Sequence, residues 1–261
     1  MTDNAPLLLV DVHDSVALVT LNRPDAYNAL NPEITLAIVK TFEEIAIQDS
    51  IKAVVLTGAG KAFCAGVDLK ALTGNGGMLS DDGGLGPENP MVVAMKSCNK
   101  PIVGAVNGAA VTGGFELALA CDFLYASPKA RFADTHARVG ILPGWGLSQK
   151  LSRIIGINRA REYSLSGNFI NVEQALDWGL VNKICSEETL IEEAMGIAQQ
   201  MADANPDAVP ALKSLINDGW ELDLSEALAL EGERANEFIK TVDFSKMEET
   251  LNKLRARAAK Q

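Results

Sequence analysis

An α/β fold with a helical C-terminal region is what the sequence predicts, on three observations. Apolar strand-type runs alternate with helix-type segments over residues 7–126, the later segments read as helical almost to the end, and no fixed-period repeat or charge tail interrupts them. A core domain over residues 1–200 and a helical region over residues 201–261 are expected.

Residues 7–22 form two β-rich runs around His13, Asp14 and Ser15, which signals a hairpin. Asn31 is a good N-cap and Pro32 is tolerated at the first helical position, so a helix starts there and runs to about Asp49. Ile34, Ile38, Phe42 and Ile45 make its apolar stripe. A buried-type strand follows over residues 53–57, then a glycine turn and the segment 63–70. The glycine-rich stretch 73–90 carries no aromatic residue and reads as a loop or lid rather than a core element. After a helix over 91–97, residues 102–106 form a second buried strand, and Asn107-Gly108 turns the chain. A helical pattern starts at Gly113-Gly114, and a short strand covers 123–126. Helices are then expected over 146–155, 160–166, 172–178, 187–204, 208–217, 224–239 and 244–258.

The 261 residues are 48% apolar and 22% charged, which suits a globular core and excludes disordered, collagen-like and coiled-coil classes. Against 34 acidic residues stand 23 basic ones, and the formal net charge of -11 repels nucleic acid and anionic membranes. Neither is an expected partner. Cys64, Cys98, Cys121 and Cys185 have no CxxC spacing, so no metal site or disulfide framework is expected and a reduced, cytoplasmic compartment fits. The first ten residues lack a basic region, no apolar run approaches the roughly 20 residues of a membrane span, and the tail ARAAKQ matches no targeting signal. A soluble, unprocessed protein is the expectation.

Two turns after buried strands place small residues where a backbone could approach a ligand: Phe63-Cys64-Ala65-Gly66-Val67-Asp68-Leu69 and Asn107-Gly108-Ala109-Ala110-Val111-Thr112-Gly113-Gly114-Phe115-Glu116. Either turn alone reads as ordinary loop geometry as well as an anion site. Glu116, in the first turn of a helix, could merely favour the helix dipole. The small apolar run Leu117–Ala120 after it implies burial, and a buried carboxylate calls for a reason. His136 follows Asp134 by two residues and could be oriented by it or be a structural histidine, while His13 in the hairpin turn has no assigned role.

Five motifs in register resemble the crotonase superfamily, the enoyl-CoA hydratase/isomerase family. They are Leu21-Asn22-Arg23-Pro24 with Asn28-Ala29-Leu30, Leu56-Thr57-Gly58 with residues 61–69, Lys100-Pro101 through Asn107-Gly108, residues 113–122, and Gly140-Ile141-Leu142-Pro143 to Gly146. The resemblance spans the chain from the first hairpin to about residue 240. It implies a crotonase-type spiral of ββα units, a homotrimer or hexamer joined through C-terminal helices, and an acyl-CoA thioester substrate with no separate cofactor. By motif position it implies that backbone N–H groups of Val67 and Gly113 hold the thioester oxygen. Substrate contacts map onto Ala26, Ala65, Asp68 and Leu69, with Gly114 beside the oxyanion donor.

The family's first catalytic glutamate maps onto Glu116, whereas the second falls on His136. An imidazole there could position or deprotonate water. The stretch 134–140 with 145–153 is similar to a subgroup commonly called monofunctional enoyl-CoA hydratases despite that histidine. Hydration of a 2-enoyl-CoA with Glu116 as acid/base is thus the expected reaction. The alternatives are a Δ3,Δ2-enoyl-CoA isomerase using Glu116 alone and a non-catalytic acyl-CoA binder.

Overall fold

The computed structural model describes residues 5–68, 71, 86, 89–246, 251 and 255. By internal packing the chain divides into two compact units, Met1–Pro210 and Ala211–Gln261.

The first unit is built on strands β1 (Leu8–His13), β2 (Val16–Leu21), β3 (Ala53–Gly58), β4 (Ala62–Cys64), β5 (Ile102–Val106), β6 (Ala109–Val111), β7 (Phe123–Ala126), β8 (Arg131–Ala133), β9 (Phe169–Asn171) and β10 (Lys183–Ile184). Six of them form one sheet in the order β1-β2-β3-β5-β7-β10, and four form a second in the order β4-β6-β8-β9. The expected hairpin β1–β2 is antiparallel, β8–β9 is antiparallel, and every other pairing is parallel. The pairs β3/β4, β5/β6 and β7/β8 each contribute one strand to each sheet. That alternation is the repeated turn of a ββα spiral.

All residues of β3 and β5 are buried, because the larger sheet is covered on both faces. Val54, Leu56, Ile102 and Val106 belong to the main core, whereas Ala53, Val55, Val103 and Ala105 pack on the other face with Leu190, Ala194 and Ala198 of helix Leu190–Ala202. Helix Pro32–Ile47 starts at Asn31, whose side chain accepts from Ile34 N, and it buries the predicted stripe Ile34, Ile38, Phe42 and Ile45. Lys100 closes its far end: the ammonium donates to the carbonyls of Ile45, Ala46 and Gln48 at 2.7, 3.0 and 2.8 Å. The next helix, Pro90–Ser97, is capped by Asn89.

Several elements differ from expectation. The whole second sheet was unforeseen from local pattern, and the expectation of helices alone after residue 126 is corrected by β8, β9 and β10. These strands have only two or three residues, too few to show a period of two, and they exist because a neighbouring strand accepts their hydrogen bonds. The helix from Gly113 ends at Ala118 rather than reaching Asp122, whose carboxylate instead accepts from Ile102 N at 2.7 Å. Of the expected lid 73–90, only Gly86, Asn89 and Pro90 lie within the described residues, and most of the final helix 244–258 lies outside them, with a 3-10 turn seen over Phe244–Lys246.

In the second unit, helix Leu224–Phe238 is capped by Asp223, and Arg234 pairs with Asp218 at 2.7 Å. Leu212, Ile216, Trp220, Leu224 and Leu228 are exposed there. Among the described residues no helix is long and apolar enough to cross a membrane, and no cluster of three His, Cys, Asp or Glu could hold a metal ion.

Candidate active site

The two small-residue turns meet. Val67 forms a parallel bridge with Leu30, in which Leu30 N donates to Gly66 O and Asp68 N to Leu30 O. Both bonds use Val67's neighbours, so its own N–H points to the opposite side of the chain. Gly113 opens helix Gly113–Ala118, where the first N–H groups have no intrahelical acceptor. The two N–H groups are close: a Cβ placed on Gly113 would lie 3.6 Å from Val67 N, and one placed on Gly66 would lie 3.4 Å from Gly113 N.

Gly114 has a packing reason to lack a side chain, since a Cβ there would sit 2.0 Å from the Cys64 carbonyl oxygen of β4. Such an approach is open only to glycine. Burial pushes the Cys64 thiol up to about 12, so it is an inert core residue.

Glu116 is 4% exposed, as expected from its apolar surroundings. Its two carboxylate oxygens have different partners. Oε1 accepts from Trp145 N at 2.7 Å and Leu147 N at 3.4 Å, the start of helix Leu147–Ile155, where free N–H groups and the helix dipole favour negative charge. Oε2 faces His136 Nε2 at 3.5 Å. On the other side of the ring, Nδ1 meets Asp134 Oδ1 at 2.6 Å, and His136 N also donates to that oxygen at 3.2 Å. Asp134 is buried just beyond β8, and a bond with Ser164 further stabilises its charge.

Asp134 and His136 were expected to share a face only on an extended segment. His136 in fact opens the short helix Asp134 precedes, and a turn at Thr135 brings the two together. Burial alone would depress the imidazole, but hydrogen bonds and charge from Asp134 and Glu116 outweigh it and raise the histidine from 6.5 to about 9. Asp134 is correspondingly lowered: burial opposes ionisation, and bonds from His136 and Ser164 override it.

The expected substrate-contact residues are gathered by a separate set of bonds. Ala26 ends the 3-10 turn Pro24–Ala26, Ala65 N donates to Tyr27 O at 3.0 Å, and Arg23 bridges Ala29 O at 2.5 Å and Asp68 Oδ2 at 3.2 Å. Leu69 lies outside the described residues. Three further residues, which the sequence offered only as members of longer stretches and with no role, enter the site. Trp145 holds Glu116 through its backbone while its ring lies 3.0 Å from a Cβ on Gly113; Thr112 and Thr135 join their hydroxyls beside the two turns. No local signal marks them, because each acts through backbone placement or a long-range contact.

Known proteins share this arrangement of elements. The sequence profile of the family described as enoyl-CoA hydratase/isomerase matches residues 11–255. The chain is 44% identical over 240 residues to "Probable enoyl-CoA hydratase 1, peroxisomal" of Arabidopsis thaliana, covering 90% of this chain and 89% of that protein. The crystal structure of an enoyl-CoA hydratase from Bacillus anthracis superimposes with a TM-score of 0.86 at 31% identity, over 95% of this chain and 96% of the other. A structure described as a monofunctional enoyl-CoA isomerase from M. smegmatis matches with a TM-score of 0.72 at 29% identity, over 85% and 97%. Profile, sequence and fold agree, and the chain belongs to the enoyl-CoA hydratase/isomerase family.

Proposed function

We propose that the protein hydrates the 2,3 double bond of a 2-enoyl-CoA, with Glu116 as general base, His136 as general acid, and Val67 and Gly113 as oxyanion donors. The observation that carries this is the split carboxylate: one oxygen of Glu116 is held by a helix start and the other faces His136 Nε2 at 3.5 Å. With its ionisation raised to about 9, His136 is an imidazolium at neutral pH, so it gives a proton rather than deprotonating water.

The steps balance. Water's oxygen bonds to C3 and its proton passes to Glu116, while the C2–C3 π electrons shift toward the thioester oxygen. Two preorganised N–H donors stabilise that charge, each contributing about 3 kcal/mol. Collapse of the enolate takes the Nε2 proton onto C2. The proton on Glu116 then crosses to Nε2, and both groups return to their starting state. Ala26, Ala65 and Asp68 line the coenzyme A portion, chiefly through backbone, since the Asp68 carboxylate is paired with Arg23. Coenzyme A is part of the substrate and no cofactor is needed.

Isomerisation of a 3-enoyl-CoA is the second reading, favoured by a histidine rather than a second glutamate at position 136. Parallel spectrophotometric assays with crotonyl-CoA and a 3-enoyl-CoA decide between them. Loss of conjugation in the first supports hydration, and gain of conjugation in the second without the first establishes the isomerase.

The exposed apolar residues Leu212, Ile216, Trp220, Leu224 and Leu228 support association of copies into a homotrimer or hexamer. Cys64, Cys98, Cys121 and Cys185 form no disulfide, which suits a reducing cytoplasm, and a fluorescent fusion would test this against the peroxisomal location in the plant relative's name.

A further inference from the structure

Thr112 has φ 53° and ψ −114°, a left-handed conformation that β-branched residues rarely adopt. Such outliers cost on the order of 1–3 kcal/mol and persist only where surrounding structure holds them. Four contacts hold this one. Thr112 N donates to Ala133 O at 2.8 Å, its carbonyl accepts from Phe115 N and Glu116 N at 3.0 Å each, and its hydroxyl is bonded to that of Thr135. Thr112 immediately precedes Gly113, and Thr135 immediately precedes His136. One residue therefore touches the oxyanion turn, the backbone of Glu116 and the segment carrying Asp134 and His136.

We propose that the Thr112–Thr135 hydroxyl pair is a positioning device that fixes the Gly113 N–H relative to the Glu116–His136 pair. The proposal rests on the reading of Val67 and Gly113 as oxyanion donors. Without the hydroxyl bond, the strained Thr112 backbone relaxes and Gly113 N–H turns from the place where charge develops. Misplacement by about 1 Å costs roughly 100-fold in rate. The two hydroxyls are bonded to each other, so both residues act through others.

The test uses Thr112→Val, Thr112→Gly, Thr112→Ser, Thr135→Val and the double Thr112→Val/Thr135→Val in the full chain. Two readouts are kinetics on whichever substrate the wild type turns over, and the affinity ratio of acetoacetyl-CoA, whose enolate places charge on the thioester oxygen, to butyryl-CoA. Thr112→Val and Thr135→Val are expected to lower kcat about 10- to 100-fold with KM within roughly 2-fold, and to reduce the ratio similarly. Thr112→Ser keeps the hydroxyl and should stay near wild type, and the double variant should lose little more than either single, because the pair acts as one unit. Thr112→Gly relieves the backbone conformation, so its melting temperature should hold while kcat and the ratio still fall. A purely structural role would move stability and activity together. Wild-type kcat and an unchanged ratio in Thr112→Gly and Thr135→Val would overturn the proposal. A wild type inert toward both enoyl-CoA substrates, yet with a ratio that falls in these variants, would overturn the hydratase reading and leave the positioning role standing.

Discussion

His136 stands between two carboxylates, with Nδ1 2.6 Å from Asp134 and Nε2 3.5 Å from Glu116, and all three side chains are buried. Hydrogen bonds and charge from the two carboxylates outweigh the desolvation of the imidazole and raise its ionisation to about 9. That state supports the proposed role of His136 as proton donor beside Glu116.

Glu116→Gln preserves shape and removes the proton acceptor. Crotonyl-CoA hydration should fall about 10²- to 10⁴-fold while affinity for butyryl-CoA survives. A nearly silent variant would remove Glu116 from the chemistry.

His136→Ala should also cost hydration, but less than Glu116→Gln, because an ordered water can deliver the proton in its place. His136→Glu restores a carboxyl group at the same point and should recover turnover above the alanine variant. Steady-state assays with crotonyl-CoA check the order, and a larger loss in His136→Ala would reverse the assignment of principal residue.

The pH dependence has a definite sign. The folded His136 binds its proton more tightly than an unfolded histidine, so its stabilising contribution is complete below about pH 6.5 and is lost as pH rises through about 9. Thermal unfolding should show melting temperature declining across that window, with the slope flattened in His136→Ala. Hydration should fall over the same alkaline limb. A flat wild-type curve between these values would contradict the ion-pair description.

Gly114→Ala forces a methyl group to 2.0 Å from the Cys64 carbonyl oxygen and 2.7 Å from its carbon, both rigid backbone atoms. A loss of about 1–3 kcal/mol in denaturant unfolding is expected, together with loss of activity as helix Gly113–Ala118 shifts from β4. Wild-type stability would show that the approach is looser than described.

Lys100→Met leaves three carbonyls at the end of helix Pro32–Ile47 without their donor. Stability should drop by about 2 kcal/mol with KM unchanged, since the contact is remote from the reaction. Chemical denaturation and steady-state kinetics on the same preparation measure both.

Periodicity and caps made much of the frame legible. Asn31-Pro32 and the stripe Ile34, Ile38, Phe42 and Ile45 specify a helix by local rules, and the continuous apolar runs of β3 and β5 announce strands covered on both faces. The motif order pointed to the family, Glu116 stood out as a carboxylate before a small apolar run, and His136 as one of two histidines, two residues after Asp134. The second sheet was not legible in local pattern: β4, β6, β8 and β9 have three residues each, and their hydrogen bonds come from strands far away in sequence.

What the sequence determined by itself is therefore the α/β class, the principal strands and helices, and the family of the chain, because these depend on side-chain periods and short motifs. The state of His136 was beyond it. Taken from the sequence, an ordinary imidazole suits a base, and only the fold brings Asp134 and Glu116 to its two nitrogens and raises it to about 9. The left-handed Thr112 is likewise a tertiary decision, since no local preference of threonine favours it and its hydroxyl partner lies 23 residues away. Charge, desolvation and backbone strain depend on distances between groups remote in the chain, and those distances exist only once both sheets have closed around the site.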